Sequence, residues 1–115
     1  MEIKILKNDN DIHLVELSGA LDLYSSTQLK DLIMKMIEKK VERYIISLEK
    51  VDRVNSSGIG ALIFISSTLK KLHCPLVLII PEGPVMNALE VTRLKSYFTI
   101  VSSVKEAVSL AAGPA

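Results

Sequence analysis

Apolar and polar positions alternate along this chain in two rhythms, one of strands and one of helices. Ile3 to Leu6 and Ile12 to Leu17 are short apolar-rich runs that read as two strands. Between them stands Asn8-Asp9-Asn10-Asp11, turn chemistry, because Asn and Asp tolerate left-handed backbone and bond locally. The pair is predicted to be a hairpin, with Gly19 ending its second strand. Leu29, Leu32, Ile33, Met36 and Ile37 then recur at helical spacing, with Lys30, Asp31, Lys35, Glu38 and Lys39 on the other face. Ser25-Ser26-Thr27-Gln28 before them has the form of a capping box, with Ser25 as N-cap and Gln28 reaching back.

Tyr44 to Leu48 predicts a third strand, and its adjacent Ile45 and Ile46 make it apolar on both faces, as interior strands are. A charged loop, Glu49 to Arg53, is expected next, then a helix from about Ser57 to Leu72. Leu76 to Ile80 reads as a fourth strand with Pro75 at its first position. Pro81-Glu82-Gly83-Pro84 is a turn, and Pro84 suits the first position of a third helix near Val85 to Arg93. Tyr97 to Val101 reads as a fifth strand. Ser103 with Glu106 caps a final helix carrying Val104, Ala107, Val108 and Ala111. A hairpin entering alternating units predicts an α/β fold with a mixed, mostly parallel sheet and packed helices. One domain over residues 1–112 is expected, with 113–115 a frayed tail.

Composition narrows the function. The chain has 115 residues, 49% hydrophobic and 23% charged, with a net charge of +1. A core of useful size is available without metal or disulfide staples. Near-neutral charge and the lack of a basic stripe with interleaved aromatics argue against nucleic acid as a partner. The single cysteine, Cys74, excludes an internal disulfide, fits a reducing compartment and reads as a buried inert thiol. The N-terminus has no basic-then-apolar signal pattern, and the longest apolar strand, Leu76 to Ile80, is far too short to span a membrane. A cytoplasmic location without membrane insertion is the expectation.

The candidate chemistry lies at Asn55-Ser56-Ser57-Gly58-Ile59-Gly60, where a strand and its loop meet a helix. A helix start exposes unpaired N–H groups and the positive end of the dipole, so an anion is stabilised there. In alternating folds, ligands and modified residues collect at the carboxyl ends of parallel strands. A phosphate on Ser56 or Ser57 would be a covalently held anion. Glycine in a first helical turn costs about 1 kcal/mol relative to alanine, which Gly58 and Gly60 must offset by close packing or close approach of another molecule. Locally the plainer alternative stands beside this one: Ser56 or Ser57 caps the helix while the glycines pack on the sheet. Leu62, Ile65, Leu69 and Leu72 form the helix's core stripe, with Ile59 toward its edge. Ile63 falls among Ser66, Ser67 and Lys70, and Phe64 near Thr68 and Lys71. These outlying apolar residues are either ordinary exposed side chains or a protein-binding patch.

Enzyme chemistry finds little support. A nucleophile elbow needs Gly-x-Ser-x-Gly and a phosphate-binding loop needs Lys-Ser/Thr after its glycines, and neither is present. His13 and His73 have no metal-ligand spacing, so no metal and no cofactor are expected. His73 is placed to gain from a helix dipole, and His13 to fill an exposed strand position. Glu49 and Asp52 share the predicted loop as solvated carboxylates.

With these residues in hand, the chain resembles the STAS domain and, more narrowly, the bacterial anti-sigma factor antagonists. Two segments carry the resemblance. Leu17-Ser18-Gly19-Ala20-Leu21-Asp22 is similar to that family's Gly-x-hydrophobic-Asp segment, and Val54-Asn55-Ser56-Ser57-Gly58-Ile59-Gly60 to its Asp-Ser-Ser/Thr-Gly-hydrophobic-Gly. The element order matches over nearly the whole chain. The resemblance implies a partner switch: an unphosphorylated antagonist binds an anti-sigma factor that is also a serine kinase, phosphorylation ends the binding, and a serine phosphatase restores it. Carried over, Ser56 is the phosphoacceptor, Ser57 holds the adjacent Ser/Thr position and Asp22 matches the acidic residue near the site; Asn55, Gly58 and Gly60 are expected to support it, and Ile59, Ile63, Phe64 and Ser67 of the helix surface are the expected partner-binding residues. Asn55 departs from the family's Asp, keeping the hydrogen-bonding side chain and losing the charge. A second implication is a constitutive STAS interaction subunit, of a lipid-transport or signalling complex, that is not phosphorylated. A third reading, a small nucleotide-binding protein or hydrolase using Ser56 and the two glycines, is the weakest.

Overall fold

The computed structural model of the chain describes residues 1–8 and 10–112. Position 9 of the predicted turn and the expected frayed tail, 113–115, lie outside the described residues. The elements run β1 (Glu2–Lys7), β2 (Ile12–Leu21), α1 (Leu23–Glu38), β3 (Arg43–Val54), α2 (Ser56–Lys71), β4 (Leu76–Ile79), α3 (Pro84–Val91), a 3-10 turn (Lys95–Tyr97), β5 (Ile100–Val101) and α4 (Val104–Ala112). The sheet order is β1-β2-β3-β4-β5. β1 pairs antiparallel with β2, in the register Glu2 to Ser18 through Lys7 to His13, and every later pair is parallel. This is the mixed, mostly parallel α/β sheet entered by a hairpin that the apolar rhythm predicts. At the turn, Asn8 Oδ1 accepts from the backbone N–H of Asn10 and of Ile12, each at 2.9 Å, and Asp11 takes a left-handed φ of 59°.

Both faces of the interior strands are buried, but unequally. Tyr44, Ile46 and Leu48 join Leu29, Ile33, Leu62, Ile65, Leu69, Val85 and Leu89 in the main core beneath α1, α2 and α3. Ile45, Val77 and Ile79 meet Ala107 and Ala111 of α4 in a smaller core on the opposite face. The topology gives the reason. Successive parallel strands added in one direction with right-handed crossovers put all crossover helices on one face. α4 follows the last strand, crosses nothing, and is free to cover the other side. Each fully buried Leu or Ile stabilises by about 1.5–3 kcal/mol, so the three-helix face dominates.

Several boundaries depart from the expectation, each for a local reason. β2 does not end at Gly19 but runs to Leu21, because Gly19 adopts a φ of 100° that only glycine takes readily and the strand continues beyond it. β3 likewise runs through the expected loop: Ser18, Gly19, Ala20 and Leu21 pair with Lys50, Val51, Arg53 and Val54. The register slips once between Glu16 and Ser18 and again between Gly19 and Ala20, and each slip inserts one extra residue on β3. Two bulges therefore turn Leu48, Val51 and Val54 toward the main core at a spacing of three, which matches no regular strand.

Further along, β4 stops at Ile79, although Ile80 is buried, and α3 stops at Val91. β5 is only Ile100–Val101, because Tyr97 belongs to the 3-10 turn and stacks edge-on against Phe98 at 5.0 Å. Leu72 is exposed at the C-cap of α2, outside the core stripe assigned to it. His73 follows with a left-handed φ of 58°, the conformation that closes many helices. Cys74 is half-buried rather than buried, and its burial, with the Glu42 carboxylate adding, pushes the thiol's pKa up, so it stays protonated and inert at neutral pH. The Ser103 cap of α4 is as expected: its Oγ accepts from the Glu106 backbone N–H at 3.2 Å.

Candidate functional site

The carboxyl ends of β2 and β3 pair at Leu21 and Val54, and each strand turns at once into a helix. Two parallel helix starts thus lie side by side. At the first, Asp22 is the N-cap in place of the expected Ser25. Asp22 Oδ1 accepts from the Ser25 backbone N–H at 3.0 Å, and the Asp22 N–H donates to Ser25 Oγ at 2.9 Å, closing a capping box. Ser25 Oγ also donates to the Ala20 carbonyl at 2.8 Å, and Ser25 is buried. The reciprocal bond is possible only with the hydroxyl at the third helical position, which rules Ser25 out as the cap. The Ser25 backbone N–H and hydroxyl hold the Asp22 carboxyl below its ordinary value.

At the second start, Asn55 is the N-cap, not Ser56 or Ser57. Asn55 Oδ1 accepts from the Gly58 N–H at 3.1 Å. Asn does here what Asp22 does next door, so the hydrogen bond survives the departure from the family's Asp while the charge is lost. Gly58 holds the third helical position, where Ser25 stands in α1. A Cβ on Gly58 would lie 2.6 Å from the Leu21 carbonyl oxygen, 2.8 Å from Val54 Cγ2 and 2.9 Å from Leu21 Cγ. That same carbonyl accepts the Asn55 backbone N–H at 3.2 Å. A backbone oxygen of the neighbouring strand end therefore fills the place, and does the work, of a capping-box side chain. It explains why Gly58 is glycine.

Ser56 follows as the first helical residue and is exposed; Ser57 follows at the second and is half-buried. Among the described residues neither hydroxyl makes a hydrogen bond, in contrast to Ser25. Ser56, Gly60, Ile63 and Ser67 succeed one another at helical spacing along one side of α2, Ser56 and Gly60 exposed, Ser67 half-buried, and Ile63 half-buried and packed against the edge of the main core, with Phe64 exposed beside them. Ile59 corrects the expectation of a partner-facing residue: it is 9% exposed and packs in the main core. The main core extends far enough around α2 to take in this edge of the stripe. Lys30 of α1 sits 5.8 Å from the centroid of the Phe64 ring. Leu23 and Tyr24, the first two residues of α1, are exposed at the same end as Ser56. Sequence reasoning passed over them because it began α1 at Ser25; starting the helix after Asp22 would have marked both as outward first-turn positions.

A cleft of about 340 Å³ lies against the two helix starts, lined by Ala20, Asp22, Asp52, Arg53, Asn55 and Pro84 among others. A larger one, about 750 Å³, lies at the other end of the sheet around Lys7, His13, Lys40 and Arg43 and contains no residue of the serine-glycine corner. His13 is half-buried there, with Nδ1 3.2 Å from the Asp11 carbonyl. No group of histidine, cysteine and acidic residues suited to a metal ion occurs among the described residues, and no described helix is long and apolar enough to cross a membrane.

Comparison with known proteins agrees with this architecture. The Bacillus cell fate determinant SpoIIAA in its phosphorylated form is 17% identical, with a TM-score of 0.72, over 95% of this chain and 98% of that one. An anti-sigma factor antagonist from Mycobacterium paratuberculosis is 17% identical, with a TM-score of 0.87, over 97% and 94%. A sulfate transporter family protein from Wolinella succinogenes is 16% identical, with a TM-score of 0.78, over 92% and 88%. At such identities the likeness is one of fold. A family model described as the STAS domain matches residues 4–107, and the chain belongs to the STAS domain family.

Proposed function

We propose that the chain is an anti-sigma factor antagonist that works as a phosphorylation-controlled partner switch. Unphosphorylated, it binds a kinase-type anti-sigma factor through the α2 face of Ser56, Ile63, Phe64 and Ser67. Phosphorylation of Ser56 ends the binding and a serine phosphatase restores it. The observation that carries the reading is the free, exposed hydroxyl of Ser56 at the first helical position, beside a neighbouring helix start, capped by Asp22, whose Ser25 hydroxyl is consumed by structure. Phosphate would bring about −1.5 to −2 charges and three strong acceptors. The helix N-terminus stabilises that charge, so the fold tolerates it without rearrangement. A partner surface packed over Ser56 does not, unless it supplies a cation, and a loss of a few kcal/mol there lowers affinity by orders of magnitude.

Incubation with kinase-type anti-sigma factors and ATP, followed by mass spectrometry of the Ser56 peptide, tests the acceptor. A single phosphate at Ser56 is the expected result. Ser56→Asp is expected to lose at least about 100-fold in affinity, roughly 2.7 kcal/mol, with little change in melting temperature. Binding as tight as wild type would refute the switch. The likeness to a sulfate transporter family protein keeps a second reading in view, a constitutive STAS interaction subunit. A partner bound tightly with no phosphate under any kinase would favour that one.

A further inference from the structure

Two glycines stand two residues apart near the start of α2, on different sides of the helix, and the fold accounts for only one. Gly58 is glycine because the Leu21 carbonyl and Val54 leave no room for a side chain. Gly60 is exposed, and a Cβ built on it meets no atom within 4 Å. Its φ is not in the left-handed range, so the backbone does not call for glycine either. Glycine in a helix interior is disfavoured against alanine, so the absence of a side chain at Gly60 needs a cause outside the chain.

The surroundings supply one. From Ser56 to Leu69, fourteen consecutive residues carry no charge, where a composition of 23% charged would place about three. Outward helix faces are ordinarily charged, whereas the centres of protein interfaces are depleted of charge and hold aromatic residues. Ser56, Gly60, Ile63 and Ser67 form such an uncharged stripe, and Phe64 beside it is 47% exposed. Beyond Gly60, Lys30 over the Phe64 ring and Lys70 and Lys71 at the end of the helix supply cations, while Asp22, Asp52 and Arg53 line the cleft at the helix start. We infer that Gly60 is a docking notch, in which an apolar side chain of the partner seats directly on the α2 backbone between Ser56 and Phe64, flanked on the partner by acidic groups that meet the lysines. An acidic flank also explains why a phosphate one turn away would expel the partner.

The inference rests on the partner-switch reading, and the test separates the two. Wild type and Gly60→Ala are titrated against purified kinase-type anti-sigma factors from the source genome, and both are melted without partner. Gly60→Ala is expected to melt higher than wild type, because alanine favours helix and has room, yet to bind at least 10-fold more weakly. Association of the wild type is expected to slow as salt rises, from loss of attraction between the lysines and the acidic flank. If wild type binds and Gly60→Ala matches it within twofold, the notch is refuted and the switch stands. A lower melting temperature for Gly60→Ala would place the glycine's role in the fold and overturn the inference. Salt-independent association would overturn the acidic flank. If no such kinase binds the wild type, the switch reading fails and the notch with it.

Discussion

The starts of α1 and α2 are the same piece of architecture built twice. Each follows the carboxyl end of a parallel strand, each opens on an Asx N-cap, and they lie side by side through the Leu21 and Val54 pairing. What differs is where the serine stands. In Asp22-Leu23-Tyr24-Ser25 it occupies the third helical position, is buried, and bonds to Asp22 and Ala20. In Asn55-Ser56-Ser57-Gly58 the third position is empty of side chain, a strand carbonyl does the capping work, and the serines move to the two positions that α1 gives to exposed Leu23 and Tyr24. The same residue type is structural in one start and chemically available in the other. Position within the first turn decides which.

The comparison breaks most readily at the third position. Gly58→Ala forces a Cβ against three atoms, one of them a backbone oxygen that cannot move without disturbing the end of β2. A destabilisation of about 3 kcal/mol is expected, the upper end of the overpacking range, read by urea unfolding. A cost below about 0.5 kcal/mol would mean that the Leu21 carbonyl is not what keeps this position bare. The matched change in α1, Ser25→Ala, keeps the backbone N–H bond to Asp22 Oδ1 but removes the hydroxyl half of the box and the bond to the Ala20 carbonyl, leaving the Asp22 N–H without its partner; about 1–2 kcal/mol is expected. Ser56→Ala, at an exposed position with no hydrogen bond, should stay within about 0.5 kcal/mol of wild type. Equal costs for the two serines would erase the distinction between them.

This difference was half legible in the sequence. The apolar rhythm predicts all five strands, four helices and the hairpin, because those segments obey one period each. It fails where two bulges impose a spacing of three on Leu48, Val51 and Val54: a strand with inserted residues looks like a charged loop, since only its bulged register brings the valines to one face. The capping error has a related cause. Ser25 with Gln28 and Asp22 with Ser25 are both plausible boxes on paper, and only the strand continuing past Gly19 puts Asp22 at the turn. The serine-glycine corner was visible as a motif. That Gly58 is needed by the fold and Gly60 is not depends on the Leu21 carbonyl, a backbone atom from another strand, and no local pattern reports it.

A further small effect concerns charge, the other difference between the two caps. Asp22 has its carboxyl pKa lowered below the ordinary 3.8, chiefly by the Ser25 N–H and next by the Ser25 hydroxyl. A folded-state value below the unfolded one adds stability that is fully present above the unfolded pKa and is lost as pH falls through the folded pKa. Asp22→Asn should therefore flatten the acid limb of the stability curve below about pH 4 while keeping the cap's hydrogen bond. α2 already has that neutral cap in Asn55, so its start contributes nothing to the acid limb. Asn55→Asp should add the missing contribution, because an ionised cap is stabilised at a helix N-terminus by about 0.3–1 kcal/mol. The two substitutions move the same limb in opposite directions, and unfolding midpoints from pH 2.5 to 6 measure both. An unchanged limb in Asp22→Asn would show that the cap works through its hydrogen bond alone. An unchanged limb in Asn55→Asp would show that the Leu21 carbonyl, close to this cap, cancels what the helix dipole offers. Either outcome would make the two starts electrostatically alike, leaving the position of the serine as the sole difference between them.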